Sequence, residues 1–266
     1  MGGALLRATV VLAIAFVSNA DEALAEPVDA MMQPAPYVNN DPVHPTGSKD
    51  IVPPMSASAA AADAGNAARA VAAAVPTSYD LAGTQEAQQT SYWCGPATIR
   101  ESLRQISPYH AGTTILTQSQ AATQLGTDTN GTAWSNGSGY PMANVMNRNT
   151  PAGVHYYAHA VGSPTATEIN NFGSNLRADA GENQIPVIGD AWETASSKYH
   201  LVGHPTDRTI FHWFNVRGYA SSGATAHYED SVHNAVSVSW YSGVPAYSSL
   251  SATAITTIVA GRGYIY

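Results

Sequence analysis

Cys94 is the only cysteine in the 266-residue chain, and it stands in Tyr92-Trp93-Cys94-Gly95-Pro96-Ala97. A lone thiol has no disulfide partner within the molecule. In an exported chain it has little use unless it reacts. Gly95-Pro96-Ala97 reads as the opening of a helix, and the backbone dipoles at a helix N-terminus favour thiolate over thiol. Such a nucleophile also needs a base, a group to orient the base, and donors for an oxyanion.

Nine histidines are available as the base. His212 opens the strongest strand candidate, Phe211–Tyr219, where alternation places His212, Phe214, Val216 and Gly218 on one face. The chain turns over at Ala220-Ser221-Ser222-Gly223. A hairpin symmetric about Ser221 sets Val216 opposite Ala226, Phe214 opposite Tyr228 and His212 opposite Asp230. A carboxylate across a strand pair from an imidazole can hold its tautomer, which nominates Asp230. A bulge would shift this register. Gln88 and Gln89 lie just upstream of the cysteine, where a side-chain amide can join the Cys94 backbone N–H as an oxyanion donor.

Each of these residues also has a plainer reading. Free cysteine is a common core residue. Strand histidines are often structural, and Asp is common in turns. Trp93 and Trp213 flank the nominated pair and either line a cleft or fill the core beneath it. His155 with His159, and His200 with His204, are spaced four apart, but neither pair forms a His-Glu-x-x-His pattern. Both pairs are expected to be structural, with His200–Pro205 a loop ahead of the catalytic strand. No metal or cofactor is expected.

The elements that must carry these residues begin near Ser78. Ile99, Leu103 and Ile106 recur at helical spacing after Cys94, and Ser107-Pro108 ends that helix. Further helices are expected around Ile169–Leu176, with Thr165 or Thr167 as cap, over Pro141–Asn147 and over Leu250–Val259. Strands are expected at Ile185–Ile188, Phe211–Tyr219, Thr225–Glu229 and Gly263–Tyr266. Helices first and sheet second predict an α+β domain over residues 77–266.

Upstream, residues 1–25 have one basic residue, an apolar run from Ala8 to Val17 and Ala23-Leu24-Ala25, the pattern of a secretory signal. The run is short for a membrane span. Residues 26–76 are rich in Pro and Ala and read as a tether or a loosely ordered pro-region, expected to be disordered. Net charge is −8 with 11% charged residues and no basic cluster, which argues against nucleic acid or anionic lipid as a partner. The expectation is a soluble, secreted protein that leaves the membrane once the signal is removed.

Gln88-x5-Cys94-Gly95-Pro96-Ala97, followed by a helix, resembles the active-site helix of papain-like cysteine peptidases. More narrowly, it resembles the bacteriocin-processing, double-glycine-leader peptidase family and its stand-alone secreted relatives. That family's second motif is matched by His212-Trp213-Phe214-Asn215-Val216-Arg217-Gly218-Tyr219, and its Asp by Asp230. The resemblance covers Val75 to Tyr266. It implies a papain-like α+β fold, with an N-terminal active-site helix packed on an antiparallel sheet. It also implies cleavage of peptide bonds, with Cys94 as nucleophile, His212 as base, Asp230 as orienter and Gln88, by its six-residue spacing, as oxyanion donor. The substrate would be a peptide or protein, without a cofactor. Two departures stand out. No transporter bundle or phosphate loop accompanies the domain, and the family's Asp-Pro is Asp230-Ser231 here. The alternatives are an amidase on cell-wall peptides, an acyl transferase, a non-catalytic peptide-binding module, or self-processing of residues 26–76.

Overall fold

A computed structural model describes residues 56–72 and 75–266. The expected signal segment, 1–25, lies outside the described residues. One antiparallel sheet contains β1 (Tyr79–Asp80), β2 (Ala158–Ala160), β3 (Val187–Glu193), β4 (Ile210–Ala220), β5 (Thr225–Glu229), β6 (Tyr247–Ser251) and β7 (Gly263–Ile265). The order is β2-β7-β3-β4-β5-β6, and β1 pairs with the far end of β4. Helices cover both faces. On one, α2 (Cys94–Ile106), α3 (Gln118–Leu125) and α4 (Pro141–Asn149) bury Ile99, Leu103, Met142 and Met146 with Ile188 and Trp213. On the other, α5 (Ala166–Leu176) and α6 (Ala252–Ile258) bury Phe172, Leu176 and Ile255 with Phe214, Val216 and Tyr264. Burial on both faces explains why β4 reads as a continuous apolar run with polar residues only where they carry a contact.

The fold is α+β, as the sequence predicts. Helix α2 has the expected bounds, and Pro96 is tolerated in its first turn because no intrahelical bond is due there. Thr165, not Thr167, caps α5: its side chain accepts from the Glu168 N–H. Leu250–Val259 is not one helix. Residues 247–251 pair with β5 as an edge strand, and the helix starts at Ala252 with Ser251 accepting from Ala254 N–H as its cap. The strand expected at Ile185–Ile188 runs instead over Val187–Glu193.

Helix α1 (Ala57–Ala72) falls inside the segment expected to be disordered. Among the described residues it buries only small apolar side chains, Ala59 and in part Ala62, and polar ones anchor it. The His159 ring on β2 meets Asp63 through Nδ1 (2.7 Å) and Glu168 through Nε2 (2.5 Å). Asn175 donates to Asp63 (2.6 Å) and accepts from Asn66 (2.8 Å). Tyr266, the last residue of the chain, donates to the Ala59 carbonyl at 2.8 Å. Burial works against charge on both Asp63 and His159. Their mutual attraction outweighs it, holding the carboxyl low and the imidazole high.

Two carboxyls, Glu101 on α2 and Glu229 on β5, are buried. Glu229 accepts from Thr84 N–H (2.8 Å) and Gln105 Nε2 (3.0 Å). Burial, then the neighbouring carboxylate, pushes Glu101 well up, and burial pushes Glu229 up to about 7. A carboxyl that binds its proton more tightly in the folded state stabilises the fold fully below its unfolded value. That stability is lost as pH rises through the folded value. Thermal unfolding temperature is therefore expected to fall as pH passes about 7. Glu229→Gln, which keeps an acceptor for Thr84 and Gln105, flattens that fall. A variant that tracks the native protein across this range would show that Glu229 is not the titrating group.

Candidate active site

Cys94 is the first residue of α2, and the preceding Trp93 offers no side-chain cap to the first-turn N–H groups, which have no intrahelical acceptors. Gly95 is required where it stands: a Cβ there would lie 2.3 Å from the Thr132 hydroxyl. Thr132 belongs to the loop that closes on this helix end, and its carbonyl accepts from Trp213 Nε1 at 3.0 Å. Thr98 on α2 donates to the Trp213 carbonyl, also at 3.0 Å. Two hydrogen bonds to the residue after His212 thus fix β4 against the helix that carries the thiol.

His212 Nε2 lies 3.0 Å from Asp230 Oδ1, and both residues are buried. The ring's other nitrogen, Nδ1, is buried and meets no hydrogen-bond partner within ordinary reach among the described residues, and Cys94 acts on the ring as a hydrogen-bonding and charge partner. The imidazole therefore sits between thiol and carboxylate. Burial disfavours its charge, but Asp230 and then Cys94 outweigh burial and raise it to about 9. Asp230 is pushed the opposite way: burial opposes its anion, while His212 and His204 hold it far below the usual carboxylate range. Cys94, His212 and Asp230 are each at most 1% exposed, so a substrate carbonyl reaches the sulfur only when neighbouring side chains move.

The hairpin register differs from the symmetric one. Asn215 pairs with Glu229 and Val216 with Tyr228; the ladder then slips, and Gly218 pairs with His227. The bulged residue, Arg217, gives its carbonyl to Leu81 N–H of the chain leaving β1, at 2.9 Å. Asp230 is therefore not opposite His212. It lies one residue past β5, where its Oδ1 also accepts from Val232 N–H at 2.9 Å, and it reaches His212 diagonally. The turn role and the contact to His212 coexist.

Gln88 is buried and Gln89 exposed. Gln88 N–H donates to the Ser231 carbonyl (2.8 Å), its Oε1 accepts from the Ser231 hydroxyl (3.2 Å), and its Nε2 donates to the Thr90 carbonyl (2.8 Å). A carboxamide nitrogen carries two N–H donors, and Thr90 occupies one. Ser231 stands where the resembling family has Pro, and its hydroxyl orients this amide. For the oxyanion-donor role that the sequence predicts for Gln88, Ser231→Ala is expected to lower kcat about tenfold and Gln88→Ala about 10²–10³-fold. Ser231→Ala should cost only about 1 kcal/mol of stability. Steady-state kinetics alongside thermal unfolding checks both. Equal kcat in Ser231→Ala and the native protein would remove the orienting role.

His204, from a pair expected to be structural, lies in the same cluster as Asp230 and His212. Its Nε2 lies 2.9 Å from Asp230 Oδ2 and its Nδ1 2.6 Å from Glu193 Oε2, all fully buried. Its ring packs edge-on to His212 and Trp240, with centroids 5.1 and 4.7 Å away. Burial opposes its charge, and Glu193 and Asp230 raise it to about 10. Its partner in the pair, His200, hydrogen-bonds the Thr194 carbonyl at 3.0 Å. His155 is exposed, and His159 belongs to the α1 contact. No sequence signal linked Glu193, at the end of β3, to a loop histidine eleven positions on. Ligand-type atoms of His204, His212 and Asp230 lie within 4.8 Å of one another. Both ring nitrogens that face the carboxylate carry the protons that make these bonds, so they offer no lone pair to a cation.

No family model matches the sequence, and no curated protein matches it. Among solved structures, a recombinant stem bromelain precursor is similar at 13% identity and TM-score 0.46, over 76% of this chain and 71% of that one. Xylellain, a cysteine protease from Xylella fastidiosa, is similar at 11% identity and TM-score 0.44, over 74% of this chain and 87% of that one. The bromelain protease from Ananas comosus, in complex with the E64 inhibitor, is similar at 15% identity and TM-score 0.43, over 72% and 98%.

Proposed function

We propose that this chain is a cysteine peptidase on a papain-like frame, akin to stand-alone relatives of the bacteriocin-processing peptidases. The observation that supports this most is the buried line from thiol to imidazole to carboxylate, with Asp230 3.0 Å from the far nitrogen of His212. In this reading, His212 Nδ1 takes the Cys94 proton and the resulting imidazolium keeps it up to about pH 9. The thiolate attacks a peptide carbonyl: a C–S bond forms, and the carbonyl electron pair moves onto oxygen. Gln88 and the Cys94 backbone N–H stabilise that oxyanion. Collapse breaks the C–N bond, and the departing nitrogen takes the proton from His212. Water, deprotonated by the now neutral His212, attacks the thioester and releases the acid and the thiolate. Asp230 stays ionised throughout and holds the imidazole. The fall in kcat at alkaline pH is set by loss of the His212 proton. Residues 1–25 support export, and a mature N-terminus found after Ala25 would accord with that.

The experiment is incubation of the purified chain with a mixed peptide library, read by mass spectrometry. The native chain is expected to generate new termini and Cys94→Ala none. Cleavage that survives in Cys94→Ala would overturn the assignment.

A further inference from the structure

We propose that Glu193 and His204 form a second, buried acid–imidazole pair that positions and charges the catalytic carboxylate, so that five side chains, Glu193–His204–Asp230–His212–Cys94, act as one electrostatic unit. The proposal rests on the cysteine nucleophile reading above and extends it to two residues outside the triad.

The geometry carries it. A carboxylate that orients a base needs only one oxygen for that task. Here Oδ1 faces His212 at 3.0 Å, and the other, Oδ2, is taken by His204 at 2.9 Å rather than by water or backbone. His204 is itself held from behind by Glu193 at 2.6 Å. Glu193 is pinned in turn: its Oε1 accepts the Leu201 N–H, which fixes the loop that carries His204. Every member is buried, so no water substitutes for a missing partner. Both carboxylate oxygens of Asp230 are thereby fixed in plane, and Oδ1 cannot rotate away from His212.

The charge follows from the same contacts. His204 faces Glu193, Asp230 and His212, with Trp240 across its ring and the neutral Tyr228 phenol close to both carboxylates. With two carboxylates against it, His204 carries its proton at neutral pH. The pair is then neutral as a whole, but its positive end points at Asp230. A cation placed there favours the anionic form of Asp230 and disfavours the cationic form of His212. It also favours thiolate at Cys94. All three effects act in one direction: each favours the deprotonated form.

The test is the pH profile of Cys94 alkylation by iodoacetamide, in the full chain and in Glu193→Gln/His204→Gln. The double variant keeps an acceptor for Leu201 N–H and a donor for Asp230 Oδ2, and it leaves no unpaired buried charge. Because it removes a positive end aimed at the site, both limbs of the profile should move to higher pH by about one unit. A change in rate with both limbs in place would mean that the pair serves packing alone and would overturn the proposal. If native Cys94 reacts no faster at neutral pH than a free thiol, the nucleophile reading fails first, and the proposal with it. Nitrogen NMR of the imidazole rings needs no variant. His204 should be doubly protonated at neutral pH, and a neutral ring would equally overturn the proposal.

Discussion

His212→Ala is expected to lower kcat for peptide cleavage by at least about 10⁴-fold. In the proposed mechanism the base, the proton donor to the leaving amine and the cation that accompanies the thiolate are all lost with one ring. The variant also leaves Asp230 Oδ1 with only the Val232 N–H, inside a buried site. Stability should therefore fall by several kcal/mol, about 3–5 by the behaviour of broken buried pairs. His212→Gln separates the two effects: it retains a donor toward Asp230 but cannot act as a base. The expected pattern is an equal loss of kcat in both variants with a smaller loss of unfolding temperature in the Gln variant. Activity within tenfold of the native protein in either variant would remove His212 from the mechanism.

Asp230→Ala should have the largest effect on stability of any single change in the site, because one carboxylate serves two buried imidazoles. About 3–5 kcal/mol is expected. The sign of its pH dependence can be derived. His204 and His212 have folded values of about 10 and about 9, raised above their unfolded value. The stability they contribute is complete below the unfolded value, near 6.5, and is lost as pH rises through about 9–10. Asp230 is depressed, so its contribution is present above its ordinary range and is lost as pH falls well below it. Without Asp230, burial acts on His212 with little opposition and favours the neutral ring. The deficit of Asp230→Ala relative to the native protein should therefore be greatest at mildly acidic pH and shrink toward alkaline pH. Thermal unfolding of both proteins across this range reads it, and a deficit independent of pH would contradict the charge assignments. Asp230→Asn, which keeps size but aims an amide at one of the two rings, should still lower kcat by about 10⁴-fold.

Where local chemistry alone sets the structure, the sequence was legible. Apolar spacing after Cys94 and a proline in the first turn define α2, so the thiol's place at a helix start follows from few residues. β4 is long, apolar and bounded by a turn, and His212 near its start was readable for the same reason. Asp230 was reached by an incorrect register. The turn is not symmetric about Ser221, because Ser221 and Ser222 both take left-handed backbone (φ 50° and 55°) and Arg217 bulges out of the ladder. Asp230 still meets His212 because it has left the strand, and its side chain reaches back by a diagonal that pairing arithmetic does not describe. His204 and Glu193 were not legible: they meet only when the end of β3 and a loop fold together, and neither follows an apolar period. Helix α1 was illegible for the opposite reason. Its hydrogen bonds to the rest of the domain are made by Asp63, Asn66 and a backbone carbonyl, whereas periodicity detects apolar faces.

The most direct test of the central claim is the ultraviolet thiolate absorbance of the native chain minus that of Cys94→Ser, followed across pH. Cys94 is the only thiol, so the difference isolates it. The account predicts a thiolate signal already present at neutral pH, with the His212 imidazolium beside it up to about pH 9, and its disappearance at neutral pH in His212→Ala. A native signal that emerges only in the ordinary alkaline range of a free thiol, unchanged by His212→Ala, would contradict it.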